Sequence, residues 1–173
     1  MRRKQVYPIG IPGVKWQEQE KTGWLKRQSA KRSYRDDVIA KLLPLERNFE
    51  LVQYGILSHD VGHYPLFALK TPDFDKDKPC ILVTGGVHGY ETSGVQGVIR
   101  FIETQSQEYG QHFNILAVPC VSPWGYETIN RWNPKALDPN RSFYANSPAE
   151  ESAALMQYLA SLELDVFAHI DFS

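Results

Sequence analysis

Long apolar runs are missing from this 173-residue chain. A bilayer span needs about 20 consecutive apolar residues, and no stretch approaches that, so a membrane-spanning helix is excluded. The basic start Met1-Arg2-Arg3-Lys4 is followed by prolines and polar residues where a signal peptide would carry its apolar core. The reading is a soluble, cytoplasmic protein. Cysteine is scarce, with only Cys80 and Cys120. Two thiols build no disulfide framework, and both sit in apolar stretches, so they read as buried free thiols. Repeats and low-complexity tracts are absent. Hydrophobic residues at 42% and charged residues at 23% exclude a disordered or fibrous chain and fit one globular domain.

Net charge is nearly absent too, at −1, but it is unevenly placed. Residues 1–35 carry ten Lys/Arg and two Glu, and the rest of the chain carries nine Lys/Arg and eighteen Asp/Glu. A basic arm can meet nucleic acid or fold onto its own acidic body. Trp16, Trp24 and Tyr34 are costly to leave in water, which favours packing and argues against a nucleic-acid partner. The division expected is 1–48, a basic arm and short helix packed on the body, and 49–173, the body itself.

Along the chain, Tyr7 to Gly13 is extended or turning. Ser33 can cap a short helix through Val38 and Leu42 that Pro44 ends or kinks. Phe49–Tyr54 and Tyr64–Lys70 alternate as strands. Their loop holds His59 and His63, which, like His112, read as surface histidines. Cys80–Thr84 is a continuous apolar run closed by two glycines, a buried central strand. Helical spacing of Val95, Val98, Ile99 and Ile102 follows, then a strand at Phe113–Pro119. Residues 121–146 read as one long loop. Ser147 is the expected cap of a helix with Leu155, Leu159 and Leu162 on one face, and Asp165–Asp171 is a last strand. Strand–helix–strand crossovers imply an α/β fold, a mixed, mostly parallel sheet flanked by helices, whose sites lie at strand carboxyl ends.

Two segments at such ends carry chemistry. His88 and Glu91 form H-x-x-E; imidazole nitrogen and carboxylate oxygen both ligate zinc, and a spacing of three sets them on one side of a turn. The alternative is a loop histidine beside a helix-capping glutamate. The second segment holds Arg131, Asp138, Asn140 and Arg141. A planar guanidinium with an amide donor suits a substrate carboxylate, and a second arginine suits an oxyanion. The alternative is a loop held by its own Asn and Asp turns.

The ordered trio GGVHGYE, SPWGYE and DPNRSF resembles the zinc metallocarboxypeptidase family, related to the succinylglutamate desuccinylase/aspartoacylase type, over roughly residues 49–171. The resemblance implies a zinc-dependent hydrolase that cleaves an amide bond next to a free carboxylate in a peptide or N-acyl amino acid. It implies His88 and Glu91 as metal ligands, Asp138 supporting His88, Asn140 and Arg141 binding the substrate carboxylate, and Arg131 polarising the scissile carbonyl. Two departures accompany it. Ser173 stands where the family has its third ligand histidine, and His169 lies four residues earlier, about 13 Å along a strand. The family's general-base glutamate falls beyond the last residue. The expectation is an incomplete domain, inactive alone, with an apolar sheet edge at Val166–Phe172 open to self-association. An aspartoacylase-like deacylase and a non-catalytic carboxylate-binding module are the alternatives.

Overall fold

A computed structural model describes residues 8–60, 62–75 and 77–173. The basic start at residues 1–4 and Tyr7 of the opening turn lie outside the described residues. Helix α1 (Glu18–Leu25) lies within the arm, where no helix is expected from the sequence. A helical run follows, made of a π turn at Arg35–Ile39, α2 (Ala40–Leu42) and a 3-10 stretch at Leu43–Arg47. Ser33 does start it, since the Asp36 N–H donates to Ser33 Oγ at 3.0 Å. Pro44 tightens the run instead of ending it, because a proline near the start of a 3-10 stretch needs no N–H partner.

The body runs β1 (Glu50–Ile56), β2 (Pro65–Lys70), β3 (Cys80–Gly85), α3 (Thr92–Thr104), α4 (Ser106–Tyr109), β4 (Asn114–Val118), α5 (Pro123–Thr128), α6 (Glu150–Ser161) and β5 (Val166–Phe172). The strands form one mixed sheet in the order β1-β2-β4-β3-β5. β3 pairs in parallel with β4 and β5, while β2 pairs antiparallel with β1 and β4. The central strands β3 and β4 are buried at every residue, as strands covered by helices on both faces are.

Alternation along β3 separates the two faces. Ile81 and Val83 join the core beneath α3, with Val95, Val98, Ile99 and Ile102. Trp24, Tyr34, Val38 and Leu42 of the arm are buried in that same cluster. Each such side chain contributes about 1.5–3 kcal/mol on burial, so the arm is an integral part of this core. Leu82 points to the other face, where Leu155 and Leu159 of α6 and Leu162 just after it cover it. Helix α6 begins at Glu150, later than its expected cap, because Ser147 Oγ accepts from the Ala149 N–H outside the helix. Cys80 and Cys120 are buried and unbridged. Among the described residues, no helix is long and apolar enough to cross a membrane. β5 lies at the sheet's edge with Phe167 71% exposed.

Candidate metal centre

The carboxyl ends of β3 and β4 lie side by side, and both functional segments leave from there. β3 ends in Gly85-Gly86, and Gly86 has a positive φ of 59°. This left-handed residue turns the chain sharply and delivers Val87 and His88 across the ends of the strands. Glu91 immediately precedes α3 but does not cap it with its side chain. The capping alternative therefore fails, and the carboxylate turns back to His88, with Oε1 2.9 Å from Nδ1.

The segment at 123–128 is not loop. Pro123–Thr128 forms α5 and is buried at every residue. Gly89 explains this burial: a Cβ there would lie 2.0 Å from the backbone nitrogen of Tyr126. The two segments interlock backbone to backbone, and only a glycine fits.

Asp138 joins the remaining pieces. Its Oδ1 lies 2.9 Å from His88 Nε2 and accepts the Asn140 N–H at 3.0 Å. Its Oδ2 accepts from Arg131 Nε at 3.0 Å, with Nη2 at the same distance. Partial burial alone would raise the Asp138 carboxyl, but hydrogen bonds from His88 and Arg131 outweigh it and hold it below the usual range. The Tyr90 ring stacks on the His88 imidazole with centroids 5.9 Å apart, and its hydroxyl lies 3.5 Å from Arg131 Nη1.

The structure therefore brings His88, Glu91, Asp138 and Arg131 together. Arg131 is turned to Asp138. Asn140 enters through its backbone N–H. Its side chain and that of Arg141 are exposed, and neither makes a side-chain hydrogen bond or ion pair among the described residues. His169 is not part of the group; its Nε2 lies 2.8 Å from Thr84 Oγ1, which donates to Asp171 Oδ1 at 2.6 Å. Ser173 follows Phe172, the register partner of Gly85, and so ends the chain at the same edge of the sheet.

His88 is only 5% exposed and has a carboxylate oxygen against each ring nitrogen. A neutral imidazole donates from one nitrogen only. With Nε2–H given to Asp138, the Nδ1 lone pair would face a carboxylate unless a proton or a cation lies between them. Glu91 Oε2 is buried with no hydrogen-bond partner among the described residues, a state that costs about 1–3 kcal/mol. An imidazole nitrogen beside a carboxylate with an unsatisfied oxygen fits a divalent metal. The donor set stops at two: among the described residues no three His, Cys, Asp or Glu side chains form a metal-holding cluster. Asp138 approaches the opposite ring nitrogen and does not count toward it.

Sequence reading missed Arg32, Tyr90 and Glu127. Buried Glu127 Oε1 accepts the Tyr34 N–H at 2.8 Å, while Oε2 accepts from Tyr64 OH at 3.0 Å and lies 2.9 Å from His63 Nε2. His63 is exposed, as expected of a surface histidine, and its ring also reaches the buried Glu127 carboxylate. The only signal for Glu127 was its place inside the SPWGYE motif.

No curated protein matches the chain. Among solved structures, the chain is similar to two proteins named "putative metallopeptidase". The one from Shewanella denitrificans is 21% identical with a TM-score of 0.62, over 72% of this chain and 46% of that one. The one from Shewanella amazonensis is 24% identical with a TM-score of 0.61, over 76% and 50%. A metallo-carboxypeptidase from Burkholderia cenocepacia is 18% identical with a TM-score of 0.61, over 77% and 39%. At these identities the likeness establishes the fold, which is carboxypeptidase-like. The chain spans about half the length of the Shewanella structures. The family described as "Protein of unknown function (DUF2817)" matches residues 72–166, from the turn before β3 to the start of β5. That stretch exceeds half of the chain and contains every candidate ligand and carboxylate-binding residue named above, and the chain belongs to this DUF2817 family.

Proposed function

We propose that this chain carries one half of a zinc-dependent metallocarboxypeptidase-like site, in a hydrolase that cleaves an amide bond next to a free carboxylate. The observation that carries this reading is Glu91 Oε2, buried without a partner beside a histidine whose Nδ1 already faces the same carboxylate. His88 and Glu91 would hold the metal, supplying two of the three protein ligands usual at a catalytic zinc. The metal would supply Lewis acidity toward a carbonyl oxygen.

The chain's own residues take up the other tasks. Asp138 accepts from His88 Nε2–H and thereby keeps Nδ1 as the lone-pair nitrogen. Arg131 balances the Asp138 charge and fixes its carboxylate plane with two N–H donors. Its polarising role would require it to reach past Asp138. Asn140 and Arg141 have uncommitted polar groups two and three residues from that carboxylate, suited to a peptide's or N-acyl amino acid's terminal carboxylate. The chain alone is expected to turn over little substrate, since its described residues offer two metal donors only.

Calorimetric titration of the purified 173-residue chain with zinc tests the reading. One-to-one uptake, lost in His88→Ala and weakened in Glu91→Gln, is the expected result. Uptake unchanged in both variants would falsify it.

A further inference from the structure

Arg32 belongs to the arm, 57 residues before Gly89, yet its guanidinium touches both segments of the candidate centre. Nη2 donates to the Gly89 carbonyl at 3.0 Å. Nε donates to the Tyr126 carbonyl at 2.5 Å, and Nη1 donates to Thr92 Oγ1. The guanidinium also lies over the Tyr126 ring, with Cζ 3.8 Å from its centroid. Gly89 directly follows His88 and Thr92 directly follows Glu91. The contacts thus fall one residue after each of the two candidate ligands.

The loop between those ligands has backbone bonds of its own, from the Glu91 N–H to the His88 carbonyl at 3.0 Å and from the Tyr90 N–H to the Asn130 carbonyl at 3.3 Å, but among the described residues no side chain from outside the site other than Arg32 is bonded to both ends of it. Gly89 has no side chain, and Gly86 supplies a second freely rotating position just before it. The interlock of Gly89 with α5 restricts how far the loop can move toward Tyr126, but it sets no distance between His88 and Glu91. A planar fork of N–H donors adds a second constraint, because the carbonyl just after His88 and the hydroxyl just after Glu91 are held to a single rigid group. Stacking on Tyr126 holds the plane of that group in turn. A lysine offers one point charge and cannot satisfy three partners in these directions.

We propose that Arg32 is a positioning residue for the His88–Glu91 pair, a clamp from the arm that sets the spacing of the two side chains. The proposal rests on the reading of that pair as metal ligands. It makes the arm a working part of the site as well as a packing element. It also gives one of the arm's ten basic residues a task unrelated to nucleic acid.

The test uses the full chain and four proteins: unaltered, Arg32→Ala, Arg32→Lys and Tyr34→Phe. Tyr34→Phe removes the hydroxyl that donates to the Pro65 carbonyl at 2.9 Å, and so loosens the arm without touching the clamp. Two readouts are taken: zinc affinity by titration, and hydrogen exchange of the Tyr90, Glu91 and Thr92 amides in metal-free protein. The expected result is a loss of zinc affinity of about tenfold or more in both Arg32 variants, the range seen when groups supporting a ligand are removed. Faster exchange at those three amides accompanies it. Tyr34→Phe lowers the melting temperature and leaves zinc affinity where it was. Equal zinc affinity in Arg32→Ala and the unaltered chain would overturn the proposal, as would equal losses in Arg32→Ala and Tyr34→Phe. If the unaltered chain takes up no zinc, the metal-site reading falls, and exchange alone decides the clamp: faster exchange in both Arg32 variants upholds it, and unchanged exchange removes it.

Discussion

His88 and His169 both lie near carboxylates, and they live in opposite surroundings. His88 sits in a glycine-cut loop, is 5% exposed, and meets Glu91 and Asp138 directly at both ring nitrogens. His169 sits on the edge strand β5, exposed, and reaches Asp171 only through the hydroxyl of Thr84. The residue types are the same. The difference is burial and the hydroxyl in between, which lets the second group satisfy itself with an ordinary chain of donors and acceptors. The first group leaves Glu91 Oε2 unsatisfied. A buried polar atom without a partner calls for an explanation, which the proposed metal would supply at Glu91, while the exposed and satisfied group at His169 calls for none.

Substituting each histidine in turn strains this contrast most. His88→Ala leaves two partly buried carboxylates without their shared partner and is expected to cost about 3 kcal/mol, on the scale of breaking a buried charged pair. His169→Ala should stay within about 0.5 kcal/mol, as exposed substitutions do. Chemical denaturation of both variants measures the gap, and similar losses would erase the distinction.

Glu127 comes next, because it ties the arm to α5 behind the centre. Glu127→Ala leaves Tyr34 N–H and Tyr64 OH without their acceptor and is expected to cost about 2–3 kcal/mol. Trp24 lies 5.8 Å from Trp124 and 5.9 Å from Trp132, centroid to centroid, so tryptophan fluorescence should report loosening of the arm.

A smaller contrast lies between neighbouring carboxyls of α6. Burial would raise the Glu150 carboxyl, but Lys135 and Ser58 hold it below its ordinary value. Its contribution is present above the unfolded value, near pH 4.5, and is lost as pH falls through the lower folded value. Glu151 goes the other way, since burial raises it beyond what the Asn133 side chain and a backbone N–H recover. Its charged form is a penalty that appears as pH rises above its unfolded value. Melting curves from pH 3 to 7 should therefore show a shallower acid loss for Glu150→Gln, and a gain at pH 7 but not at pH 3 for Glu151→Gln.

The edge strand supplies the smallest effect. Phe167 and Ile170 are exposed on β5, and Phe167→Lys with Ile170→Lys should reduce concentration-dependent light scattering with little change in melting temperature. Equal scattering would leave the edge without a part in self-association.

Much of the frame was legible because periodicity reports burial directly. The run Cys80–Thr84 became a strand buried at every residue, and the spacing of Val95, Val98, Ile99 and Ile102 became the buried face of α3. The stretch 121–146 is largely loop, as its prolines and asparagines signal, but α5 within it was not legible, because that helix is stabilised by complete burial against Gly89 and the arm. Helix α1 has no apolar stripe of its own, and its capping box closes around Gln17, which is not a usual cap residue. In the centre, His88 and Glu91 were readable from their spacing. The direction of the Glu91 carboxylate was not, because a helix start offers it two uses.

The sequence by itself determined which faces are apolar, where the strands end and which residue types gather at those ends. Those properties follow from side-chain chemistry and spacing of three or four residues. Only the tertiary structure decided that Asp138 comes to His88 across 50 positions, that Glu127 receives the arm, and that Arg32 spans Gly89, Tyr126 and Thr92. Contacts of that range depend on how the arm, α3 and α5 close over one face of the sheet, and no local pattern encodes the distance between groups that the chain brings together only when it folds.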